Sequence, residues 1–250
     1  MIKIDKDERI DEIGFGNLKL IQNPKEFCYG VDAVILADFA ANLCRRSDVV
    51  FDLGTGTGVI PMIFNYKRPG GKLYGVEVQE ASAQRANRNV KMNALQGKIE
   101  IINSNIKELD GSFWGTADVV ISNPPYFAHG GALKNNNDAK TIARHEITAS
   151  LDDFFKVAAK LLKEKGELFM VHRPSRLADL MCYGRQYKLE AKSMQMVSPK
   201  EGEAPNIVLV HFMKNGGKEI KMLPNLNVHK HEGGYTDEIL HIYEKEMGNL

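Results

Sequence analysis

Asn123-Pro124-Pro125-Tyr126 follows directly on the apolar run Ala117-Asp118-Val119-Val120-Ile121-Ser122. A short buried strand that stops at an amide, two prolines and an aromatic ring brings hydrogen-bond acceptors and a stacking face to the carboxyl edge of a sheet. Open α/β sheets bind their ligands at that edge. The prolines hold φ near one value and carry no N–H, so the carbonyls around them face a pocket instead of joining a helix or ladder. Asn123, Pro124 and Tyr126 are therefore the candidate catalytic residues. Pro125, Tyr126 and Phe127 are the candidates for holding a flat substrate that carries an amino group.

A second constellation lies upstream, in Phe51-Asp52-Leu53-Gly54-Thr55-Gly56-Thr57-Gly58. A glycine-rich turn between a strand and a helix lets backbone approach a ligand closely and aims helix amides at it. The spacing is selective. The glycines fall at 54, 56 and 58, whereas a dinucleotide fingerprint needs its third glycine one residue later, where Val59 stands. No Gly-Lys-Ser/Thr comes after them, so a nucleoside-triphosphate loop is excluded as well. Glu77, with Val78 beside it, closes the next apolar run and is the acid expected to accept from a ribose diol.

Those residues need a sheet to carry them. Between residues 48 and 172, β-branched runs alternate with longer amphipathic stretches, the pattern of βαβ units around a parallel sheet. The spacing predicts strands over 48–53, 72–78, 98–103, 117–122 and 167–172, and helices near 59–66, 80–94 and 152–163. Two late runs, 189–197 and 207–214, flank a turn-rich connector at 198–205 and read as a hairpin closing the sheet. Ahead of the first strand, 18–22 reads as a strand and 32–43 as a helix packed on the core. The connection 127–150, with Gly130-Gly131 and Asn135-Asn136-Asn137, is long enough to be a lid or substrate loop. The chain thus divides into a cap over 1–46, a central domain over 47–215 and an appendage over 216–250.

Composition narrows the class. The chain has 250 residues, 43% of them hydrophobic, enough for a full core without disulfides or metal. Cys28, Cys44 and Cys182 are odd in number and widely spaced, which argues for reduced thiols, and no His/Cys pattern suggests a metal site. No apolar run approaches the roughly 20 residues that span a bilayer. The expectation is a soluble, cytoplasmic protein. Formal net charge is +1, so no global basic field announces a nucleic-acid binder. Locally, nine Lys or Arg stand against four acids between Lys156 and Lys192, which reads either as a solvated face or as a patch for a phosphate backbone.

Taken in order, the glycine loop, Glu77 and Asn123-Pro124-Pro125-Tyr126 resemble the successive motifs of the class I S-adenosylmethionine-dependent methyltransferases, in the amino-group branch. Within that branch, residues 23–37 and the tail Gly233-Gly234-Tyr235-Thr236-Asp237-Glu238-Ile239 are similar to the tRNA(Val) (adenine-37-N6)-methyltransferase family. The likeness runs over about residues 25 to 215. It implies an α/β, Rossmann-like fold: a seven-stranded, mostly parallel sheet of order 3-2-1-4-5-7-6, its seventh strand antiparallel, with helices on both faces. It implies S-adenosylmethionine as cofactor, with Tyr29, Gly30 and Asp32 over its methionine end and Asp52, Gly54, Thr55, Gly56, Gly58, Glu77 and Val78 around it. Asn105, with Ile106 next to it, stands where the family usually has an acid facing the cofactor adenine. An amide oxygen can still accept that bond, without the charge.

The chemistry implied is direct transfer of a sulfonium methyl to an exocyclic nitrogen. The Asn123 side-chain oxygen and the Pro124 carbonyl, each accepting one N–H, would aim the nitrogen lone pair, while Tyr126 and Phe127 stack on the extruded base. A tRNA adenine is the first acceptor to consider, and the chain is expected as a monomer or weak homodimer. A protein glutamine amide presents the same planar NH2 and remains open as acceptor, as does a binding module without catalysis.

Overall fold

The period-two alternation of the central runs places successive side chains on opposite faces of a sheet, and two apolar clusters result. In the computed structural model, which describes residues 2–26, 28–126 and 149–244, the parallel strands are β3 (Val49–Leu53), β4 (Lys72–Glu77), β5 (Ile99–Asn103), β6 (Ala117–Ser122) and β7 (Leu162–His172). Val50, Val119, Ile121, Phe169 and Val171 point into one cluster, and Phe51, Leu53, Val120, Leu168 and Met170 into the other. The first cluster is covered by α1 (Val31–Leu43) and α2 (Val59–Lys67), the second by α4 (Leu151–Leu161) and α5 (Leu177–Gln186). Between them in sequence, α3 (Glu80–Met92) packs along β4 and β5.

β9 (Ile207–Lys214) joins β7 antiparallel, and β8 (Leu189–Lys200) joins β9 antiparallel. With β3 counted as first, the order β5-β4-β3-β6-β7-β9-β8 is the expected 3-2-1-4-5-7-6. The sheet is larger than the seven strands expected. β10 (Lys221–Met222) and β11 (Leu226–His229) both run parallel to β8 and raise it to nine. Their role is physical: the outer side of a 12-residue edge strand would otherwise leave a row of unpaired N–H and C=O groups. β11 also moves the end of the hairpin. Ser198 and Lys200, read from sequence as connector, pair with Asn227 and His229 and so belong to β8.

Other elements depart from the sequence expectation as well, β1 (Arg9–Glu12) among them. β7 begins at Leu162, five residues early, because a bulge absorbs the polar run 163–166: Ala117 faces Leu162 while Val119 faces Glu167. α5 lies where no element was expected. Only Leu180 and Gly184 of its residues are buried, too thin a stripe to give a visible helical period.

Both ends of the chain join the first apolar cluster. β1 (Arg9–Glu12) and β2 (Lys19–Gln22) form a separate antiparallel hairpin, from which Ile13, Phe15 and Leu20 enter that cluster. The tail ends in α6 (Asp237–Ile242), and Ile239 and Tyr243 enter it from the other side. Phe15 and Tyr243 stack at 5.9 Å. The hairpin is clamped to α3 by charge: Arg85 Nε donates to Glu8 at 2.9 Å, Arg88 Nη2 to Glu8 at 2.6 Å, and Arg85 Nη1 to Glu26 at 2.8 Å. The Glu8 and Arg85 side chains are 3% and 6% exposed. Hydrogen bonding from Arg88 holds the Glu8 carboxyl at about 2, against the upward pull of burial and with help from Arg85.

Because its native pKa lies below the unfolded value of 4.5, Glu8 stabilises the fold fully above that value and loses the contribution as pH falls toward about 2. Glu8→Gln should destabilise the protein at pH 7 by about 3 kcal/mol, and the gap to the parent should close by about pH 2. Urea unfolding of both proteins across that range is the measurement; a gap that stays constant with pH would mean that the Glu8 charge is not what anchors the hairpin.

Candidate active site

Five parallel strands deliver their carboxyl ends to one edge, and the predicted site residues lie there. Gly54, Gly56 and Gly58 come after β3 with φ of 78°, 56° and 81°, backbone that favours glycine and lets the loop turn three times in five residues. The loop is fastened to the neighbouring strand by Gly54 N–H and Thr55 N–H, which both donate to the Val76 carbonyl, at 2.9 and 3.0 Å. At Gly56 there is open space where a side chain would project, so the loop presents bare backbone on that side.

Glu77, at the end of β4, is 5% exposed and is fixed from two sides. Gly56 N–H donates to Oε2 at 2.9 Å and Gln79 N–H to Oε1 at 2.8 Å. A carboxylate has about four acceptor positions, so each oxygen keeps room for one more donor. Asn103 ties the next strand end to this one, donating through Nδ2 to the carbonyls of Glu77 and Val78 at 2.8 and 3.3 Å. Asn105 Oδ1 accepts from Lys107 N–H at 3.0 Å and caps the short turn Ile106–Glu108, whose Ile106 is buried in the second apolar cluster.

Asp52 is the outlier of the site. It is 1% exposed, and neither carboxylate oxygen has a hydrogen-bond partner among the described residues. Burial pushes its pKa up to about 7, with the Glu77 charge adding to the rise and the nearby Thr55 hydroxyl opposing it. A buried acid without a partner is costly to a fold and marks a place where the described residues supply no donor.

Asn123 leaves β6 beside the glycine loop, since Ser122 Oγ donates to the Leu53 carbonyl at 2.9 Å. Its amide does not stand alone. Asn123 Nδ2 donates to Asp32 Oδ2 at 3.1 Å, and the Tyr126 hydroxyl donates to the same oxygen at 3.0 Å. Asp32 sits in the first turn of α1, behind Gly30 at the helix start, and Tyr29 N–H is held by Gln22 Oε1 at 3.2 Å. Asp32, with Tyr29 and Gly30 just before it, is thus brought to Asn123 and Tyr126 from about 90 residues away in sequence.

Two further residues line the site that no motif pointed to. His172 ends β7, with its ring centroid 5.2 Å from that of Tyr126 in an edge-on arrangement. Its Nδ1 accepts from Arg173 N–H at 2.8 Å, so a neutral ring carries its proton on Nε2. Burial and then the Arg176 charge lower its pKa to about 4, which keeps it neutral at pH 7. The Arg173 guanidinium lies 5.0 Å over the Tyr126 ring. The signal for both was topological: β7 neighbours β6 in parallel, so the residues that leave the end of β7 must lie beside those that leave the end of β6.

The basic excess of residues 156–192 does not form one patch. Lys163 and Lys165 sit at the start of an 11-residue strand and Arg173 lies just past its other end. Several of these cations are engaged, Lys163 with Asp118 at 2.8 Å, Arg185 with Glu190, Lys160 over the Trp114 ring. Arg173 is exposed and forms no ion pair among the described residues. Phe127 and most of the 127–150 connection lie outside the described residues. Among the described residues, no group of three or more His, Cys, Asp or Glu is placed to hold a metal, and no helix is long and apolar enough to cross a membrane.

The chain as a whole is similar to known proteins. The chain is 27% identical over 225 residues to the tRNA1(Val) (adenine(37)-N6)-methyltransferase of Porphyromonas gingivalis, covering 86% of each chain. It is 28% identical to the enzyme of the same name from Bacteroides thetaiotaomicron, over 84% of this chain and 85% of that one. Among solved structures, a predicted O-methyltransferase of Agrobacterium tumefaciens superposes with a TM-score of 0.69 at 18% identity, over 88% of this chain and 100% of the other. The fold is accordingly the Rossmann-like fold of class I methyltransferases. A family model, the methyltransferase small domain, matches residues 19–181, from β2 through the glycine loop and the Asn-Pro-Pro-Tyr turn into α5, and the chain belongs to that family.

Proposed function

We propose that this protein methylates the N6 amino group of an adenine in tRNA, at a position of the adenine-37 type, with S-adenosylmethionine as the donor. The observation that carries the reading is that Asn123 and Tyr126 leave the sheet at the same edge as a glycine loop that begins two residues after Asp52, a buried acid with no hydrogen-bond partner among the described residues. The residues fit the cofactor. Asp52 offers two oxygens in need of a donor, Glu77 is held in place with acceptor capacity to spare for a diol, and the bare backbone at Gly56 leaves room above the loop. Tyr29, Gly30 and Asp32 would close over the methionine end, Gly54, Thr55 and Gly58 would line the loop side, and Val78, Asn105 and Ile106 would surround the adenine. When bound, the cofactor supplies an electrophilic methyl whose C–S bond breaks as the N–C bond forms, leaving S-adenosylhomocysteine.

The protein's own residues have to make a poor nucleophile attack. An adenine amino lone pair is delocalised into the ring, and both N–H groups need acceptors if it is to be localised and aimed. The Asn123 oxygen and the Pro124 carbonyl supply them, and Pro124 and Pro125 lack N–H groups that would compete for those acceptors. Tyr126 and Pro125 would flank the base. One face of the Tyr126 ring is taken by Arg173, so a stacked base uses the other face or displaces the guanidinium toward a phosphate. No strong general base is required, because the attacked nitrogen becomes cationic and acidic as its fourth bond forms. The relatives' names favour tRNA over a protein amide as acceptor, and the exposed cation at Arg173, without an ion pair among the described residues, supports a phosphodiester nearby.

Three outcomes test the reading. Asn123→Ala should lower kcat on tRNA by roughly 1,000-fold or more while the dissociation constant for S-adenosylmethionine, measured by calorimetry, changes by less than about threefold. Nucleoside analysis for N6-methyladenosine identifies the product, and a variant with most of its activity would remove Asn123 from the chemistry. Arg173→Ala should weaken tRNA binding and reduce the slope of log affinity against log salt by about 1, with no effect on cofactor affinity; an unchanged slope would remove Arg173 from the RNA contact. Asp52 has a native pKa of about 7 against 3.8 when unfolded, so the native state holds a proton that the unfolded chain releases, and stability falls as pH rises between those values. Asp52→Asn should therefore match the cofactor-free parent near pH 4, exceed it by up to roughly 4 kcal/mol at pH 8, and bind S-adenosylmethionine at least about tenfold more weakly. Equal stability at pH 8 would show that the acid is not strained in the empty protein.

A further inference from the structure

We infer that Asp32 is the positioning residue of the reaction: it sets which end of the Asn123 amide faces the substrate. The inference rests on the proposed reading of Asn123 as acceptor and adds a role for Asp32 beyond contact with the cofactor. A side-chain amide has two ends of nearly the same shape, one donating only and one accepting only, and a half-turn exchanges them. Only the orientation that turns oxygen toward the substrate can take an amino N–H. With the ends exchanged, an NH2 group would meet an NH2 group and catalysis would stop.

An ionised carboxylate accepts and cannot donate, so beside Asp32 the amide has one favourable orientation. Nδ2 lies 3.1 Å from Asp32 Oδ2, which leaves Oδ1 as the end of the amide turned away from the carboxylate. Reversal would set Oδ1 against an anionic oxygen and lose a charge-assisted hydrogen bond. The same Oδ2 accepts from the Tyr126 hydroxyl at 3.0 Å, which couples the direction of the amide to the attitude of the ring. One oxygen therefore aligns both the group that grips the amine and the group that would stack on the base.

Asp32 is in turn held rigidly. Its Oδ1 accepts from Ala33 N–H at 3.0 Å in the first turn of α1, where the helix dipole favours an anion. The helix behind it is buried through Ala33, Val34, Ile35 and Leu36. Gly30 is the remaining constraint. A side-chain carbon there would stand 2.7 Å from Asp32 Oδ1, so any larger residue would push the carboxylate off its position. The Tyr29-Gly30-Val31-Asp32 stretch is thereby tied to the chemistry of Asn123, 91 residues away.

The experiment is a charge transposition between the two partners, read by single-turnover methyl transfer to tRNA and by the side-chain amide NMR signal of Asn123. Asp32→Ala should lower the single-turnover rate at saturating S-adenosylmethionine about 10- to 100-fold, and should shift the Asn123 Nδ2 proton signals toward those of a free amide. Asn123→Asp alone sets two carboxylates against each other and should be inactive. The double variant Asp32→Asn/Asn123→Asp restores one donor facing one acceptor and should recover at least about tenfold over Asn123→Asp, and Gly30→Ala should reproduce the Asp32→Ala rate loss. An Asn123 amide signal that ignores Asp32→Ala, or a double variant no better than Asn123→Asp, overturns the inference. Activity surviving in Asn123→Ala would instead overturn the reading of the site itself, so the two failures are distinguishable.

Discussion

Parallel pairing of β5, β4, β3, β6 and β7 is the constraint on which everything else depends, because it brings five strand ends to a single edge. The residues just beyond each strand have no ladder to join, and their polar groups must be satisfied by one another or by a ligand. Each fastening at this edge is of that kind. Gly54 and Thr55 N–H groups reach across to Val76, Ser122 reaches to Leu53, Asn103 reaches to Glu77 and Val78, and Glu77 receives Gly56 and Gln79. The loops are thus a mutually bonded rim, which gives the site rigidity although little of it is helix or strand.

Two buried acids show how differently the same residue class is used. Glu8 is hydrogen-bonded by Arg85 and Arg88, ionised well below its ordinary range, and fastens the N-terminal hairpin onto α3. Asp52 is more deeply buried, has no hydrogen-bond partner among the described residues, and is displaced in the opposite direction. The first is an anchor and the second is strain kept at a binding edge, where proteins commonly tolerate it for function. Asp32 stands between them: partly satisfied by its own helix, it accepts through its second oxygen from Asn123 and Tyr126.

The tail has a structural task that its composition hides. By lying along β8, β10 and β11 cover an edge that would invite pairing with another chain, and α6 returns to seal the apolar cluster beside Phe15. The β1–β2 hairpin reaches the same cluster from the opposite end of the chain. The β1–β2 hairpin and the tail therefore rest on a shared core with α1, the helix that carries Asp32.

Local sequence determined the strands 49–53, 72–77, 99–103 and 117–122, the helices after the glycine loop and after Glu77, and the motif residues at their ends. These are legible because period-two and helical burial patterns, positive-φ glycines and prolines act over a few residues. The bulge before Glu167, the helix 177–186 and the two added strands were not legible, since each exists to match a neighbour far away in sequence: β6, the β8–β9 hairpin and the open edge of β8. The same division runs through the site. Asn123 and Tyr126 mark the candidate turn by residue type alone, but the carboxylate that accepts from both, the ring of His172 and the guanidinium over Tyr126 come from other strands and helices. Hydrogen-bond direction and ring contact are short-range in space and unrestricted in sequence, so only the folded sheet could decide which residues meet.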